Sequence, residues 1–259
     1  MSSTAAAMQA ISTGSQIAVE AYTIPERMVR ALEAAAARGA HVSVRLQESP
    51  FGSSGAHLAR VNRRIAAQLR AHHVSTKLRD EVHAKAIAVD GAWYFDEKNW
   101  RGGDLVVRAS GAEAASIPMT KAQALRREAQ LLRRATARDA PIVESESFGS
   151  GNCVYDALKA RALAGAAPRV LVGSRILHGN GRERKVLEAL MRDGARVRVC
   201  KDSSKFAACG DRVWLGSANA SVTVAGDRMS DWGAYTSNRR IVAAVRQRLE
   251  TQWKSAREL

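Results

Sequence analysis

Two stretches of the chain resemble each other closely enough to predict an internal repeat. Residues 27–46 read RMVRALEAAAARGAHVSVRL, and residues 182–201 read RERKVLEALMRDGARVRVCK. Aligned at an offset of 155 residues, the two stretches are identical at eight positions. Each reads as a helix that ends at a glycine cap and is followed by a strand of alternating residues. A repeat of this kind predicts two similar lobes within the chain of 259 residues.

An apolar segment that reads as a buried strand precedes each repeated helix, at residues 16–22 and 169–177. Strand, helix and strand in succession predict a parallel pair joined by a right-handed crossover. We therefore expect an α/β fold of two pseudo-symmetric lobes, each a mixed, mostly parallel sheet flanked by helices. The lobes are expected to comprise residues 1–140 and residues 141–259.

Beyond the repeat, the two halves are expected to differ. The first half continues with a further helix and a short strand, at residues 57–72 and 74–78, whereas the second half runs almost directly into residues 202–219. Basic helices are predicted at residues 119–139 and 238–255. Their arginines read either as a solvated surface or as a face that binds anions.

The stretch EVHAKAIAVDGAWYFDEKNW, residues 81–100, brings reactive side chains together. The alternation of a strand places His83 and Lys85 on one face. Asp90 and the glycine after it predict a tight hairpin turn. The returning arm of this hairpin therefore carries Asn99 back toward the histidine and the lysine.

A second, altered copy of this stretch follows at an offset of 120 residues. Ser203 stands in the place of His83, and Lys205 matches Lys85. The sequence GSAN, residues 216–219, occupies the place of DEKN in the first copy. The first copy keeps His, Lys and Asp, whereas the second keeps Lys and Gly-Ser-x-Asn.

The spacing H-x-K-x(4)-D, followed by a polar cluster that ends in Asn, resembles the HKD motif of the phospholipase D superfamily. With the repeat, the resemblance covers roughly residues 12–105 and 145–250. In that family the two halves meet at one site, where one histidine attacks phosphorus and forms a phosphohistidine and the other protonates the leaving oxygen. Lysines and asparagines hold the phosphate oxygens. The resemblance implies that neither a metal nor another cofactor is needed.

The resemblance assigns roles residue by residue. His83 is the expected nucleophile, since a neutral imidazole attacks well near pH 7. Asp90, at the hairpin turn, is expected to organise structure rather than to react. The residues expected to hold phosphate oxygens are Lys85, Lys205, Asn99, Ser203, Ser217 and Asn219, of which the two lysines also count as catalytic.

The proton donor for the leaving oxygen stays open, because Ser203 has replaced the second histidine. Glu97, expected at the rim of the site, serves if its pKa is raised, or else pairs with Lys85 or Lys205. His178 follows the first strand of the second half and is either the missing imidazole or a polar loop residue. Water is the third candidate.

The charge of the chain narrows the choice of substrate. Forty lysines and arginines against 25 aspartates and glutamates give a net charge of +15, which favours a polyanionic partner. A metal-independent phosphodiesterase that acts on nucleic acid is the first hypothesis, and the tryptophans either stack bases or belong to the core. A phospholipase D-type enzyme on anionic phospholipid is the second. The third is a pseudoenzyme that binds phosphate or nucleic acid without turnover.

The remaining expectations concern location and assembly. No apolar run has the length of a membrane helix, and the N-terminus lacks the basic and apolar regions of a signal peptide. We therefore expect a cytoplasmic protein, with export by another route left open. The three cysteines lack metal-ligand spacing and read as reduced thiols. A monomer with an internal pseudo-dimer is expected, because the second half takes the place of a partner.

Overall fold

The computed structural model of the chain describes residues 2–51, 54–100, 105–111, 116–136, 139–174, 181–201, 204–221 and 228–259. The chain divides into two compact units. Unit 1 consists of Met1–Thr120 with Arg228–Trp232, and unit 2 consists of Lys121–Asp227 with Gly233–Leu259.

Unit 1 is a mixed sheet with helices packed on it. Its helices are α1 (Thr4–Thr13), α2 (Glu26–Ala37) and α3 (Gly55–Ala71). Its strands are β1 (Gln16–Ala21), β2 (His41–Gln47), β3 (Ser75–Arg79), β4 (Lys85–Val89), β5 (Ala92–Asp96), β6 (Val106–Ser110) and β7 (Pro118–Thr120). In the described part of this unit, six strands form a sheet in the order β3-β2-β1-β4-β5-β6. The first three strands are parallel, and β4 to β6 are antiparallel to their neighbours.

Alternation along the parallel strands explains why one face of this sheet carries helices. Every second residue of β1 and β2 is buried, which leaves the residues between them on the other face. The buried set packs with apolar residues of α1, α2 and α3 in one core. The core residues that β1 and β2 contribute are Ile17, Val19, Ala21, Val42, Val44 and Leu46.

Unit 2 has helices α4 (Lys121–Arg133), α5 (Cys153–Leu163), α6 (Gly181–Arg192) and α7 (Arg239–Ser255). Its strands are β8 (Ile142–Ser145), β9 (Arg169–Gly173), β10 (Arg196–Cys200), β11 (Phe206–Cys209), β12 (Arg212–Gly216) and β14 (Arg257–Glu258). Strand β13 (Ser230–Thr236) pairs with β7 over its first three residues, in unit 1, and with β12 over the rest, in unit 2. Within unit 2 the order is β14-β10-β9-β8-β11-β12-β13.

Short polar residues and glycines set the ends of several helices. Asn152 accepts hydrogen bonds from the first backbone amides of α5, and Asn238 does the same for α7. Gly39 and Gly194, which follow the two repeated helices, have φ angles of +88° and +107°. The glycine caps predicted from the sequence are therefore confirmed.

The repeat is present, but its register differs from the one predicted. Both units run strand, helix, strand, helix, strand and then a hairpin, as β1-α2-β2-α3-β3 before β4-β5 and as β8-α5-β9-α6-β10 before β11-β12. Sheet order therefore matches α2 with α5 and α3 with α6, whereas the offset of 155 residues matched α2 with α6. Each lobe contains two successive strand–helix units, and three of the four helices end at a glycine before the next strand, whereas α3 ends at His73, whose φ is +61°. The second half consequently has the additional helix that the sequence assigned only to the first.

The helix at Lys121–Arg133 belongs to unit 2, where it packs against α5, β11 and β12. The expected division at residue 140 assigned it to the first lobe instead. Three of the tryptophans, Trp100, Trp214 and Trp232, are fully buried and offer no face to a base. Among the described residues, no helix combines the length and apolarity needed to cross a membrane.

Candidate active site around His83

The hairpin predicted at Asp90 is confirmed, and its turn is hydrogen-bonded to residues at the start of β1. Strands β4 and β5 pair antiparallel, and Asp90 and Gly91 have φ angles of +47° and +81° between them. The Asp90 carboxylate accepts hydrogen bonds from the Ser15 hydroxyl at 2.9 Å and from the Gln16 amide at 2.8 Å. These hydrogen bonds, that of the Gln16 amide first, lower the pKa of Asp90. Asp90 thus links the turn between β4 and β5 to the start of β1.

His83 lies just before β4, where the start of β13 holds its backbone. The His83 amide donates to the carbonyl oxygen of Ser230 at 3.0 Å, and the Ser230 amide donates to Glu81 at 2.7 Å. The next residue of β13 is Asp231, whose carboxylate lies 2.8 Å from Nδ1 of His83. The Asp231 side chain is fully buried, and that of His83 is 14% exposed. A buried carboxylate is thus hydrogen-bonded to an imidazole that is partly exposed to solvent.

This hydrogen bond determines the tautomer of His83. An ionised carboxylate only accepts, so Nδ1 carries the proton and the lone pair lies on Nε2. The Lys85 ammonium lies 3.2 Å from Nε2 and donates to the His83 carbonyl oxygen at 2.7 Å. Lys85 is only 2% exposed. The imidazole nitrogen that carries the lone pair and a buried cation are consequently adjacent.

Two aromatic rings lie beside this pair. The ring centroid of Tyr22 is 5.5 Å from that of His83, in an edge-on arrangement, and Phe51 lies 6.2 Å away with its ring inclined by 28°. Tyr22 and Phe51 are 5.4 Å apart, and the Lys85 ammonium is 5.8 Å from the Tyr22 ring. The imidazole therefore has an aromatic side as well as a charged one.

The polar cluster after β5 is held from several directions. The backbone amide of Trp100 donates to the Asp96 carboxylate, and Arg27 donates to the Trp100 carbonyl oxygen. The Trp232 indole donates to the Asp96 carbonyl oxygen at 2.8 Å. Trp100 has a φ of +60°, which is uncommon for a bulky residue. The segment that carries Glu97 and Asn99 is thus tightly constrained.

Glu97 and Asn99 differ in their surroundings. Glu97 is fully buried, rather than at the rim as expected, and its carboxylate accepts from the Leu105 amide at 3.1 Å. Asn99 is half-buried, and its side-chain oxygen accepts no hydrogen bond within the described residues. The role of Glu97 as the proton donor and that of Asn99 in phosphate binding stay predictions.

In unit 2, the second copy also forms a hairpin that ends in a polar loop. Lys205 is 3% exposed, and its ammonium lies 3.2 Å from the carboxylate of Glu146. Ser217 is fully buried. Asn219, like its counterpart in unit 1, has a side-chain oxygen that accepts no hydrogen bond in the described part of the chain. That these residues serve the same phosphate as His83 rests on the sequence alone.

Two of the predicted residues, Ser203 and His178, lie outside the described residues. Within the described ranges, no group of three or more His, Cys, Asp or Glu side chains could hold a metal ion. Sequence reasoning missed Asp231, which is 148 residues from His83 in the chain. The sequence gives only a weak indication of this role, because Asp231 is a single carboxylate in the short strand SDWGAYT and belongs to no motif.

Neither a scan against protein-family models nor a search of curated proteins finds a match. Solved structures do match. Polyphosphate kinase from Porphyromonas gingivalis is 15% identical, with a TM-score of 0.64 over 97% of this chain and 45% of that chain. Phosphatidylserine synthase from Haemophilus influenzae Rd KW20 is 11% identical, with a TM-score of 0.67 over 99% of this chain and 85% of that chain. Nuc from Salmonella typhimurium, a phospholipase D family member, is 14% identical and matches 55% of this chain and 98% of its own, with a TM-score of 0.46.

The first two of these matches extend over nearly the whole chain, with TM-scores above 0.6. The chain therefore shares the fold of these two proteins, and the two pseudo-symmetric, phospholipase D-like α/β lobes expected from its motif and repeat are confirmed. It spans less than half the length of the polyphosphate kinase. Identities of 15% and below establish a common fold, so the chemistry must be argued from the side chains themselves.

Proposed function

We propose that the chain is a metal-independent phosphodiesterase that attacks its substrate with His83, and that its substrate is nucleic acid. The observation that carries the proposal is the arrangement of three side chains in unit 1. The buried carboxylate of Asp231 lies 2.8 Å from Nδ1 of His83, and the ammonium of Lys85 lies 3.2 Å from Nε2. Such an arrangement presents a lone pair and a positive charge on the same side of the imidazole.

The first step is a displacement at phosphorus. Nε2 of His83 forms a bond to phosphorus while the bond to the leaving oxygen breaks, and the ring becomes a positively charged phosphohistidine. Asp231 stabilises that charge through the proton on Nδ1, and Lys85 donates to the non-bridging oxygens as negative charge spreads over them. The leaving oxygen takes a proton from Glu97, His178 or water.

The second step returns the enzyme to its starting state. Water attacks phosphorus, the bond between phosphorus and Nε2 breaks, and the proton lost by the water passes to the solvent or to the group that gave the first proton. Covalent capture thus divides one difficult displacement into two easier ones. A good leaving group lowers the need for an acid in the first step.

Charge supports nucleic acid as the substrate. A net charge of +15 attracts the phosphate backbone at long range, and single strands also gain from aromatic contacts. In the described part of unit 1, Phe51 is the one large apolar side chain that is exposed. An enzyme that works on a lipid surface needs a broader apolar contact with the membrane.

Cleavage assays in EDTA test the proposal with single-stranded DNA, duplex DNA, RNA and anionic liposomes as separate substrates. We expect cleavage of nucleic acid that survives EDTA and is abolished in His83→Ala. His41→Ala, which removes an exposed histidine from β2, is the matched control and is expected to keep full activity.

Other outcomes of this assay point to the competing functions. Turnover of phospholipid and not of nucleic acid would identify a lipid enzyme, and binding without turnover would identify a pseudoenzyme. Covalent labelling of the chain by substrate, lost in His83→Ala, would establish the phosphohistidine directly. Unchanged turnover in His83→Ala would refute the mechanism.

A further inference from the structure

Phe51 occupies an unusual position for a large apolar side chain. It is 40% exposed, yet its ring lies 6.2 Å from the imidazole of the proposed nucleophile. Tyr22 contacts both rings, at 5.4 Å from Phe51 and 5.5 Å from His83. Exposed apolar surface beside reactive polar groups typically marks a place where a ligand binds.

Hydrogen bonds hold the backbone of Phe51 in place. The Phe51 amide donates to the Tyr22 hydroxyl at 2.8 Å, and that hydroxyl donates to the Phe51 carbonyl oxygen at 3.2 Å. Gln47 holds the same loop, since its side chain donates to the Ser49 carbonyl oxygen at 3.1 Å and accepts from the Val82 amide at 2.6 Å. Val82 directly precedes the nucleophile. The backbone of Phe51 is consequently held beside His83, and the ring extends from this fixed point.

The geometry determines which face of the ring a ligand can use. A flat ligand inserted between two rings needs them roughly 7 Å apart, because each stacked layer takes about half of that. The gap of 6.2 Å between Phe51 and His83 is too narrow. A flat group would therefore stack on the outer face of Phe51 and not between the ring and the imidazole.

The chemistry around the ring favours a nucleobase over a lipid. Phe51 is the one exposed large apolar side chain described in unit 1, and the Lys85 ammonium lies 5.8 Å from the ring of its neighbour Tyr22. One ring next to a cation matches a base attached to a phosphate, whereas an acyl chain needs a continuous apolar surface. The tryptophans Trp100, Trp214 and Trp232 are buried and cannot take this role.

We propose that Phe51, supported by Tyr22, is a stacking site for one unpaired nucleobase next to the phosphate that His83 attacks, so that the substrate is single-stranded nucleic acid. This inference rests on the proposed function. Bases in a duplex are stacked on both faces and paired at their edges, so only an unpaired base can offer its face to the ring. Phe51 would then determine specificity without taking part in bond breaking.

Two substrates with the same backbone charge separate the contribution of base stacking on Phe51 from that of the phosphates. One is a short oligothymidylate, and the other is an oligomer of the same length whose sugars carry no bases. We expect Phe51→Leu to lower kcat/KM about tenfold on the oligothymidylate and to leave the abasic oligomer unchanged. Phe51→Trp should restore the activity. Leu163→Ser, which removes an exposed apolar side chain of unit 2, should change neither substrate.

Binding measured by fluorescence anisotropy on the same oligomers separates this inference from the proposed function. If the wild type cleaves neither oligomer, the proposed function fails, but tighter binding of the oligothymidylate that Phe51→Leu abolishes still supports the stacking site. The inference is overturned if Phe51→Leu weakens binding of both oligomers equally, if it weakens binding of neither, or if the wild type binds both oligomers equally. A loss of binding to anionic vesicles alone in Phe51→Leu would assign the ring to a lipid surface and would also overturn it.

Discussion

Replacement of Asp231 by Asn tests the link on which the proposed chemistry depends. The substitution keeps the size of the side chain and removes its charge, while the partner, Nδ1 of His83, remains 2.8 Å away. An amide can donate to Nδ1 as well as accept from it. Donation would move the imidazole proton to Nε2 and take away the lone pair that attacks phosphorus.

The expected loss follows from the geometry of this hydrogen bond. A hydrogen bond to a charged group contributes about 1.5–3 kcal/mol, and the upper end applies because Asp231 is only 1% exposed. About 3 kcal/mol corresponds to roughly 10²-fold in kcat. If the tautomer also changes, the loss approaches the roughly 10⁴-fold seen for the same substitution in the Ser-His-Asp triad. KM should change little, since Asp231 contacts the nucleophile and not the substrate.

Single-turnover kinetics on a labelled oligonucleotide measure this loss. We expect slower formation of the covalent intermediate in Asp231→Asn, with an unchanged melting temperature as the control for folding. Because Asp231 acts through His83, adding Asp231→Asn to His83→Ala should cost nothing further. A variant that keeps kcat within about threefold of the wild type would refute the role of the carboxylate. A fall in kcat together with a lower melting temperature would show that Asp231 acts on the fold instead.

Three further predictions concern the buried carboxyl of α4, the proton donor and the charge of the surface. Burial raises the pKa of Glu128 well above its ordinary value of 4.5, so folding stability is full below pH 4.5 and falls as the pH rises toward the folded pKa. In chemical denaturation, Glu128→Gln should match the wild type in acid and be more stable by about 1–3 kcal/mol at neutral pH, whereas equal stability at both pH values would contradict the burial argument. If Glu97 or His178 protonates the leaving oxygen, Glu97→Gln or His178→Ala should lower kcat about 10²–10⁴-fold on an alkoxide leaving group and much less on a nitrophenolate, and silence of both variants would leave water as the donor. The logarithm of the affinity for single-stranded DNA should fall linearly with the logarithm of the salt concentration, with a slope of about −0.7 per phosphate contacted, and an affinity that does not depend on salt would contradict electrostatic attraction.

The fold was predictable to the extent that it depends on local patterns. The hairpin at Asp90 and the glycine caps at Gly39 and Gly194 follow from residues next to one another in the chain. The register of the repeat did not, because the two successive strand–helix units in each lobe look alike in sequence. One signal was available: the motif repeats at 120 residues and the helix at 155, so that register requires a length difference of 35 residues between the two halves.

The candidate site divides in the same way. His83 and Lys85 are two residues apart, so the alternation of a strand alone predicts that their side chains lie on the same face. Asp231 and Phe51 are distant from His83 in sequence, and only the tertiary structure brings them near its imidazole. Asp231 comes from the start of β13, and Phe51 comes from the loop that Gln47 and Tyr22 hold. A single sequence carries no record of such pairings, since nothing near Asp231 distinguishes it from other polar residues in strands.

The two buried lysines suggest why the second copy of the motif changed as it did. An ammonium removed from water keeps its charge only if nearby groups accept its protons. Lys85 donates to the carbonyl oxygen of His83 and faces its Nε2, so in unit 1 the proposed nucleophile itself helps to hold the cation. The histidine is lost from the second copy, and there Lys205, 3% exposed, lies 3.2 Å from the carboxylate of Glu146. A carboxylate compensates the charge of a buried ammonium at least as well as a neutral imidazole does, and it serves as an acid only where its pKa is raised. In the described part of unit 2, the side chain next to the buried ammonium is thus a carboxylate and not a histidine, and this asymmetry of the two copies supports our proposal that His83 carries the covalent step.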